Sequence, residues 1–296
     1  GARLSARRAV RHDAPMVPAD ADAEGRLETW RRPLRERPFR RYFLATLINS
    51  LGSAAGSIAL AFGVLDSGSA TDLGLVFFGR EIASVALLLA GGVWADRLPR
   101  RAILAAGYAA EAVSTAAIAA LVWAGEPSTA ALAVLAALGG GASAFTRPAQ
   151  VGFLPELVSP GNLQAANALK ATIWSSTTIL GAVAGAGLVA TLGPPLALAI
   201  DAASFVVAAA LVLGIGRSAS RAPRGTSPLA DLREGWVEFR SRTWVWVMVL
   251  SFAFFQLSFF PAMFVLGPVI AEQDLHGVAG WGLVVALQAV GSLVGS

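Results

Sequence analysis

The sequence predicts an all-α integral membrane protein, and two observations support this fold class: its composition and the length of its apolar segments. Of the 296 residues, 55% are hydrophobic and 14% are charged, whereas soluble domains carry about 25% charged residues. The apolar residues form segments of about 20, the length that a helix needs to cross a bilayer core of about 30 Å. These segments are rich in Ala, Leu and Val without an alternation of apolar and polar positions, so strands are not expected.

Eight segments are predicted to span the membrane as helices, because lipid offers backbone polar groups no partner outside the segment. The fourth segment is short, and its end can extend from Phe145 to Val151. The predicted spans are Phe43–Leu65, Leu73–Ala95, Ala102–Trp123, Thr129–Phe145, Ala166–Leu192, Leu196–Ile215, Thr243–Leu266 and Ala279–Ser296.

The basic residues orient these spans. Of the 23 Lys and Arg residues, all except Arg80 lie in segments that face the cytoplasm if the amino terminus is cytoplasmic. Short loops that are rich in Lys and Arg stay in the cytoplasm. We therefore expect a multi-pass protein of the cytoplasmic membrane with its amino terminus inside. The connections on the opposite side contain no Lys or Arg, and their acidic residues are Asp66, Asp72, Glu126, Glu272 and Asp274.

Several function classes are disfavoured because the residues they require are missing. The chain has no cysteine and only two histidines, His12 and His276, so neither disulfides nor a paired-imidazole metal site is expected. The spans carry no Ser/His/Asp set and no HExxH motif, and the single lysine, Lys170, lacks the glycines of a phosphate-binding loop. We expect no enzymatic activity, no cofactor and no metal. The basic residues form no single stripe, so nucleic acid is not an expected partner.

The connection after the second predicted span combines one acid with three arginines. Arg97, Arg100 and Arg101 complement the negative carboxyl-terminal end of a helix, whereas Asp96 is unfavourable there without a partner. Gly92, one turn earlier, permits the close approach of another helix. An ordinary positive-inside turn and a charged latch both account for this pattern.

The segment from Gly92 to Arg101 resembles the G-x-x-x-D-R-x-x-R-R signature that follows the second helix of the major facilitator superfamily. Pro99 stands where a glycine is commoner in that signature. The resemblance to the superfamily covers about residues 40–296.

Further stretches carry a narrower resemblance. They are similar to the branch of the superfamily that includes the bacterial enterobactin exporter. The matching stretches are residues 145–158, which begin Phe145-Thr146-Arg147-Pro148, then residues 163–169 and residues 201–205.

The resemblance implies a major facilitator fold, present here as the first six-helix bundle plus the start of the second. A complete member has twelve spans, so the chain is expected to be the amino-terminal two-thirds of such a transporter. The implied domains are a basic cytoplasmic tail (1–41), the first bundle (42–216), a cytoplasmic linker (217–242) and helices 7 and 8 (243–296).

The linker contains apolar residues at helical spacing with charged residues between them, which predicts an amphipathic helix on the inner membrane face. A plain solvated linker is the alternative interpretation. The apolar residues are Leu229, Leu232, Trp236 and Phe239.

The implied function is secondary active transport by alternating access, in which two bundles rock about a site near the middle of the membrane. By the resemblance, Gly92 is a packing contact, and Asp96, Arg97, Arg100 and Arg101 form a gating latch. The expected activity is proton-coupled efflux of a small amphipathic molecule such as a drug, a siderophore or another metabolite. The expected partners are this substrate, protons and the lipid bilayer, and the protein is expected to be a monomer. A uniporter, an importer and a receptor or scaffold that does not transport are the alternatives.

Ionisable residues inside the spans are candidate functional residues, because burying charge in lipid is unfavourable. Arg80 and Glu81 are neighbours that point about 100° apart on a helix, so each needs another partner. Glu111 lies near the middle of the third span with no cation close in sequence. For Glu81 and Glu111, proton coupling, substrate contact and structural pairing all remain open. Asp201 is expected to be structural, and to reach water or cap a neighbouring turn.

Two kinds of uncharged residue in the spans, an asparagine and closely spaced glycines, are also candidates for helix packing or for lining a cavity. Asn49 either lines the cavity or forms a hydrogen bond between helices. Gly181, Gly185 and Gly187 in the fifth span lack the proline of the glycine-proline motif found in many exporters of the superfamily. We expect these glycines to be helix-packing contacts.

Overall fold

The computed structural model describes residues 30–125, 127–216 and 228–294, apart from the side chains of residues 89, 93, 96, 175, 178, 179, 182, 228–232, 234, 235, 289, 290 and 292–294. Within these ranges all regular structure is helical, as the sequence predicted. Short 3₁₀ and π segments occupy Pro160–Asn162 and Ala262–Leu266. The α-helices are α1 (Arg37–Leu65), α2 (Ala70–Arg97), α3 (Arg100–Trp123), α4 (Thr129–Leu157), α5 (Leu163–Leu192), α6 (Pro194–Leu213), α7 (Pro228–Ser241), α8 (Thr243–Pro261), α9 (Gly267–Asp274) and α10 (Val278–Val294).

Each of the eight predicted spans is helical over most of its length; α6 ends at Leu213, two residues before the predicted end, and residues 295 and 296 lie outside the described part of the chain. Among the described residues, five segments are long and apolar enough to cross a membrane: α1, α3, α4, α6 and the stretch Thr243–Asp274 that runs from α8 through α9. The fourth helix is longer than expected and continues to Leu157 through two prolines, Pro148 and Pro155. These helices make the chain a multi-pass membrane protein.

The last residues of the predicted tail, residues 1–41, are helical. Residues 1–29 lie outside the described part of the chain, but residues 30–35 are helical and α1 begins at Arg37. Pro38, at the start of α1, fits the first turn of a helix. Phe39 is 1% exposed and belongs to the core. Burial of this aromatic ring therefore draws the basic segment into the bundle.

The helices pack in an order that differs from their order in sequence. Helix α1 lies between α5 and α6, α3 lies between α4 and α6, and α2 packs along α4. Helix α10 packs against α5. A Cβ atom added at Gly282 would lie 2.6 Å from the methyl group of Ala186, so the two helices are close at this glycine. The ring of Phe77 on α2 contacts Phe260 and Phe264 near the π segment.

Two hydrophobic clusters form the core, one toward each end of the bundle. The first contains Phe39, Tyr42, Tyr108, Phe153 and Phe205. The second contains, among others, Ile58, Phe62, Val76, Ile118 and Leu198. The segments of α1, α2 and α6 between the two clusters, and the adjoining turn of α3, contain the ionisable and small residues described below.

The outward-facing surface of the helices is apolar. Trp174 and Val113 are 75% and 71% exposed, and no described residue of α8 is buried. In a membrane protein such side chains face lipid, and exposure of an apolar side chain to lipid has no free-energy cost. In α7, the rings of Trp236 and Phe239 stack with their centroids 5.7 Å apart, while the side chains of Leu229 and Leu232 lie outside the described set.

Candidate functional site

Three ionisable residues from three helices come together inside the bundle. Glu111 on α3 and Asp201 on α6 are each 6% exposed, and the positive charge of Arg80 on α2 acts on both carboxylates. Arg80 and Asp201 lie between the two hydrophobic clusters, and Glu111 lies at the inner edge of the first, next to Ala112 in sequence. We refer to Arg80, Glu111 and Asp201 as the charge cluster.

Glu111 is surrounded mainly by α3 and α4. Thr146 on α4 donates a hydrogen bond to Glu111 Oε1 at 3.4 Å, and its hydroxyl also lies 3.2 Å from the carbonyl of Ser143. One turn below, Gln150 donates to the hydroxyl of Tyr108 at 3.0 Å. The cation that the sequence near Glu111 did not offer is supplied by α2, through Arg80.

Asp201 is buried where α6 faces α1. Its Oδ1 is 3.4 Å from the hydroxyl of Ser53 on α1 and 3.4 Å from that of Ser204. Side chains at Gly52 and Gly56 of α1 would overlap Ser204 and Asp201 respectively. The spacing Gly-x-x-x-Gly thus lets α1 and α6 approach closely around a buried acid.

Arg80 lies where α2 crosses α4. A side chain at Gly140 would overlap the carbonyl oxygen of Arg80, and the Cβ position of Gly139 is 3.4 Å from Arg80 Nη1 and 3.1 Å from Ser114 Oγ on α3. The side chain of Arg80 is half-buried. Within the described residues, neither an ion pair nor a hydrogen bond joins Arg80 to Glu111 or Asp201. The guanidinium therefore acts on both carboxylates through space.

Among the described residues, neither Glu81 nor Asn49 forms a hydrogen bond or an ion pair with a residue of the charge cluster. Glu81 is half-buried and forms no hydrogen bond or ion pair with any residue that the structure describes. The amide Nδ2 of Asn49 is buried and has no hydrogen-bond partner among the described residues. Within the described part of the chain Asn49 thus makes no hydrogen bond between helices, and its role stays a prediction.

The predicted latch is described in part. The side chain of Asp96 lies outside the described set, and Arg97 is exposed. Arg100 forms an ion pair with Glu156 at 2.7 Å and donates to the carbonyl of Gly152 at 2.6 Å, which ties the start of α3 to the end of α4. The gating role of these two arginines stays a prediction.

Two other members of the predicted latch also have defined surroundings. Arg101 donates a hydrogen bond to the carbonyl of Leu213 at the end of α6, as expected for a cation at a helix carboxyl terminus. An added Cβ on Gly92 meets no atom within 4 Å, whereas one on Gly91 would overlap the carbonyl of Ala144. Within the described residues the close approach to α4 is thus at Gly91, and the role of Gly92 stays a prediction.

The glycines of α5 are packing contacts, as predicted, at two of three positions. The Cβ position of Gly181 is 2.5 Å from the methyl group of Ala54, and that of Gly185 is 2.6 Å from Cα of Ala55. Gly187 meets no atom within 4 Å among the described residues. Helix α1 is thus closely packed on two sides, by its own glycines toward α6 and by those of α5.

A cavity of about 370 Å³ lies at the end of the bundle where α1 ends. It is separate from the charge cluster, since none of the three cluster residues lines it. Asp66, Glu272 and His276 contribute polar groups, and Phe62 and Val189 contribute apolar wall. Burial raises the pKa of Asp66, which lies after the end of α1.

Sequence reasoning missed the residues that support the charge cluster. The pairs Gly52 with Gly56 and Gly139 with Gly140 carried a signal, since closely spaced glycines in a span indicate a helix crossing. Ser53 carried none, because serine and threonine occur throughout apolar helices and bond to their own backbone. Thr146 and Ser204 lie in stretches that carry the family resemblance, but nothing in those stretches indicated contact with a buried acid.

Comparison with known proteins identifies the family. A search of curated proteins finds no match to this chain. The family model described as Major Facilitator Superfamily matches residues 42–296, which include every helix of the bundle apart from the first five residues of α1. Members of this family are membrane transporters. With an all-helical fold and a match over most of its length, this chain belongs to the major facilitator superfamily.

Proposed function

We propose that the protein is a secondary active transporter that exports small amphipathic molecules in exchange for protons. The charge cluster is its proton-binding centre. The observation that carries this proposal is that two carboxylates, Glu111 and Asp201, are buried on the adjacent helices α3 and α6 inside the bundle.

Charge balance explains why such a cluster favours exchange. With all three residues ionised the net charge is −1, and one bound proton makes the cluster neutral. Scales derived from membrane insertion assign about 3 kcal/mol to one charged residue at the centre of a span, so neutrality is favoured. A positively charged substrate group can neutralise the cluster in place of the proton. Two ligands that compete for one site and must each cross in turn produce antiport.

The depth of the cluster supports a transport role. Two of its residues, Arg80 and Asp201, lie between the hydrophobic clusters at the two ends of the bundle, and Glu111 lies at the inner edge of one of them. The sites of secondary transporters lie near the middle of the membrane. We assign residues 42–216 to the first bundle and residues 243–296 to the start of the second. Residues 217–242 form the linker. The packing of α10 against α5 is then a contact between bundles.

The orientation is inferred from the basic residues. Because all Lys and Arg residues except Arg80 fall on one side of the predicted map, we place the amino terminus in the cytoplasm and the protein in the cytoplasmic membrane. The latch residues Asp96, Arg97 and Arg101 then lie on the cytoplasmic side. We further assign the chain to the enterobactin-exporter-like branch, on the resemblance of residues 145–158, and regard it as a monomer.

The proposal is tested by flux measurements on the full-length protein in proteoliposomes with an imposed pH gradient. The probes are lipophilic organic cations and catecholate siderophores. We expect flux driven by the gradient in wild type, a loss of at least about tenfold in Glu111→Gln, and retention of substrate exchange without a gradient. Glu81→Gln is the matched control, since Glu81 is an intramembrane acid outside the charge cluster.

Other outcomes would favour other functions. Substrate flux that does not depend on the pH gradient would indicate a uniporter. Movement of substrate in the same direction as protons would indicate an importer. No flux with any probe, in a protein that remains folded, indicates a receptor or scaffold.

A further inference from the structure

We propose that residues 30–41 bind the phosphate groups of anionic phospholipids at the membrane surface. This binding is separate from transport and does not depend on what the protein carries. Three features of the segment support it: an excess of arginine, the exposure of the arginine side chains, and contacts that fix the segment beside the start of α1.

The positive charge of the protein is concentrated in this short segment. Residues 30–41 contain six arginines and one acid, Glu36, and so have a net charge of +5, whereas the whole chain has a net charge of +4. The rest of the chain thus carries one more negative charge than positive charges. A local excess of this size attracts an anionic partner.

The acid of the segment does not neutralise the arginines. The carboxylate of Glu36 accepts hydrogen bonds from the backbone N–H of Ser159 at 3.1 Å, from the Ser159 hydroxyl at 3.3 Å and from Asn162 Nδ2 at 2.8 Å. Four arginines of the segment are exposed, and their guanidinium groups form no ion pair or hydrogen bond with any residue that the structure describes: Arg31, Arg32, Arg37 and Arg40.

Contacts on the opposite side hold the segment against the bundle. Pro33 is buried, Leu34 packs against the first hydrophobic cluster, and Phe39 belongs to that cluster. The hydrogen bonds of Glu36 join the segment to the connection between α4 and α5. Because these contacts fix the backbone, binding through the exposed arginines costs little conformational freedom.

The arginines lie at the level of lipid headgroups. Arg37 and Arg40 are at the start of α1, which is long and apolar enough to cross a membrane. They precede Phe43, where the predicted span begins, by about 9 Å and about 4.5 Å along the helix. Headgroups occupy about 5–7 Å on each side of the hydrocarbon core.

The chemistry of the exposed side chains also fits this partner. Guanidinium groups bind phosphate through paired hydrogen bonds. Trp30 is 43% exposed, and tryptophan is enriched where a membrane meets water. We therefore assign the exposed face of residues 30–41 to phospholipids with a negatively charged headgroup.

The first test compares the lipids that bind to the purified full-length protein. Mixed micelles supply phosphatidylglycerol and phosphatidylcholine with the same acyl chains, and mass spectrometry counts the lipids retained after size-exclusion chromatography. We expect wild type to prefer phosphatidylglycerol and Arg37→Gln/Arg40→Gln to weaken that preference by about tenfold, since each basic residue near an anionic surface strengthens binding several-fold. A wild type without this preference would overturn the proposal.

The matched control removes the same charge at another exposed position. Arg240→Gln/Arg242→Gln, at the connection between α7 and α8, should keep the preference for phosphatidylglycerol. Equal losses in the two double variants would indicate general attraction between charges and would contradict binding at residues 30–41.

A substitution at Glu36 separates a fixed site from simple attraction. Glu36→Ala makes the segment more positive, so charge alone predicts stronger binding of phosphatidylglycerol. The substitution also removes the hydrogen bonds to Ser159 and Asn162, so we expect binding to weaken several-fold. Asn162→Ala removes one of these bonds without a change of charge and should weaken binding less. Binding in Glu36→Ala that equals or exceeds that of wild type would contradict the proposal.

The remaining measurements identify the source of the phosphate and check folding. Inorganic phosphate and polyglutamate, at equal concentration of negative charge, should not displace phosphatidylglycerol, because neither places acyl chains beside α1. Displacement by phosphate would indicate a soluble phosphate compound, displacement by polyglutamate an acidic protein, and either result overturns the assignment to lipid. Unfolding midpoints in detergent show which variants fold, and Arg37→Gln/Arg40→Gln decides the question if Glu36→Ala does not.

Discussion

Gly56 on α1 lies directly against the carboxylate of Asp201 on α6. The Cβ position of Gly56 is 2.6 Å from Cγ and 3.0 Å from Cβ of Asp201, so no side chain fits between the two helices at this point. At Gly56 the opposing helix presents only backbone, which lets the acid pack closely against it. Ser53, one turn earlier on α1, provides a hydroxyl to the same carboxylate.

Substitution at Gly56 should therefore disturb the site and the packing together. We expect Gly56→Ala to destabilise the protein by about 1–3 kcal/mol, the usual effect of overpacking, and to abolish flux driven by a pH gradient. Thermal unfolding in detergent measures the first effect. Gly187→Ala on α5 is the matched control, since nothing lies within 4 Å of an added methyl group among the described residues. Equal thermal unfolding midpoints for the two variants would show that the close contact between Gly56 and Asp201 does not contribute to stability.

Adjacent glycines of α4 offer a sharper comparison. A methyl group at Gly140 would overlap the carbonyl of Arg80, which is backbone, whereas one at Gly141 would meet only the end of the Leu87 side chain at 3.0 Å. A rotamer change at Leu87 can relieve the second contact, but the first requires α2 to move. We expect Gly140→Ala to lower the unfolding midpoint strongly and Gly141→Ala to lower it little. A larger effect at Gly141 would contradict the helix crossing described here.

Asp72, just before the second predicted span, should make stability depend on acidity. Its carboxylate accepts hydrogen bonds from Ser69 and from Thr129 on α4, and these lower its pKa. Because the folded pKa lies below the unfolded value, the stabilisation is present above about pH 4 and is lost as the pH falls through the folded pKa. We expect Asp72→Asn to be less stable than wild type near neutral pH and equal to it in strong acid.

Asp66 provides the control with the opposite sign. Burial raises its pKa, so its ionised form is disfavoured in the folded protein and stability falls as pH rises through the unfolded value. Asp66→Asn should be neutral or slightly stabilising near neutral pH. Unfolding midpoints of both variants over a pH series check the two signs, and a loss of stability in Asp66→Asn that matches Asp72→Asn would contradict them.

Two ion pairs should differ in their effect on stability because they differ in exposure. The side chains of Arg100 and Glu156 are 18% and 26% exposed, and Arg100 also bonds to a carbonyl of α4. Those of Arg242 and Glu238 are 59% and 61% exposed, so solvent screens them. We expect Glu156→Gln to lower the free energy of unfolding by about 1 kcal/mol and Glu238→Gln by less than about 0.5 kcal/mol. Chemical denaturation in detergent measures both, and the reverse order would be inconsistent with this arrangement.

The sequence by itself determined the class of protein and the places of its helices. Lipid requires each spanning segment to satisfy its own backbone, so a long apolar run is enough to predict a helix without knowledge of its neighbours. Prediction from apolar runs alone misplaced two helix ends, where packing extends the helix beyond the run. Residues 30–41 are basic, yet they are helical from residue 30 apart from the bend at Glu36, because Phe39 packs into the core. Helix α4 passes Phe145 and continues to Leu157.

Only the tertiary structure decided which ionisable residues meet. Arg80, Glu111 and Asp201 are far apart in the chain, and the hydropathy pattern contains no information about the rotation of each helix. Their meeting depends on which helices pack together and on glycines, such as Gly56 and Gly140, that let backbones approach. The partner of a buried charge is fixed by long-range packing, whereas the helix that carries the charge is fixed by local composition, and this difference separates what could be predicted from what could not.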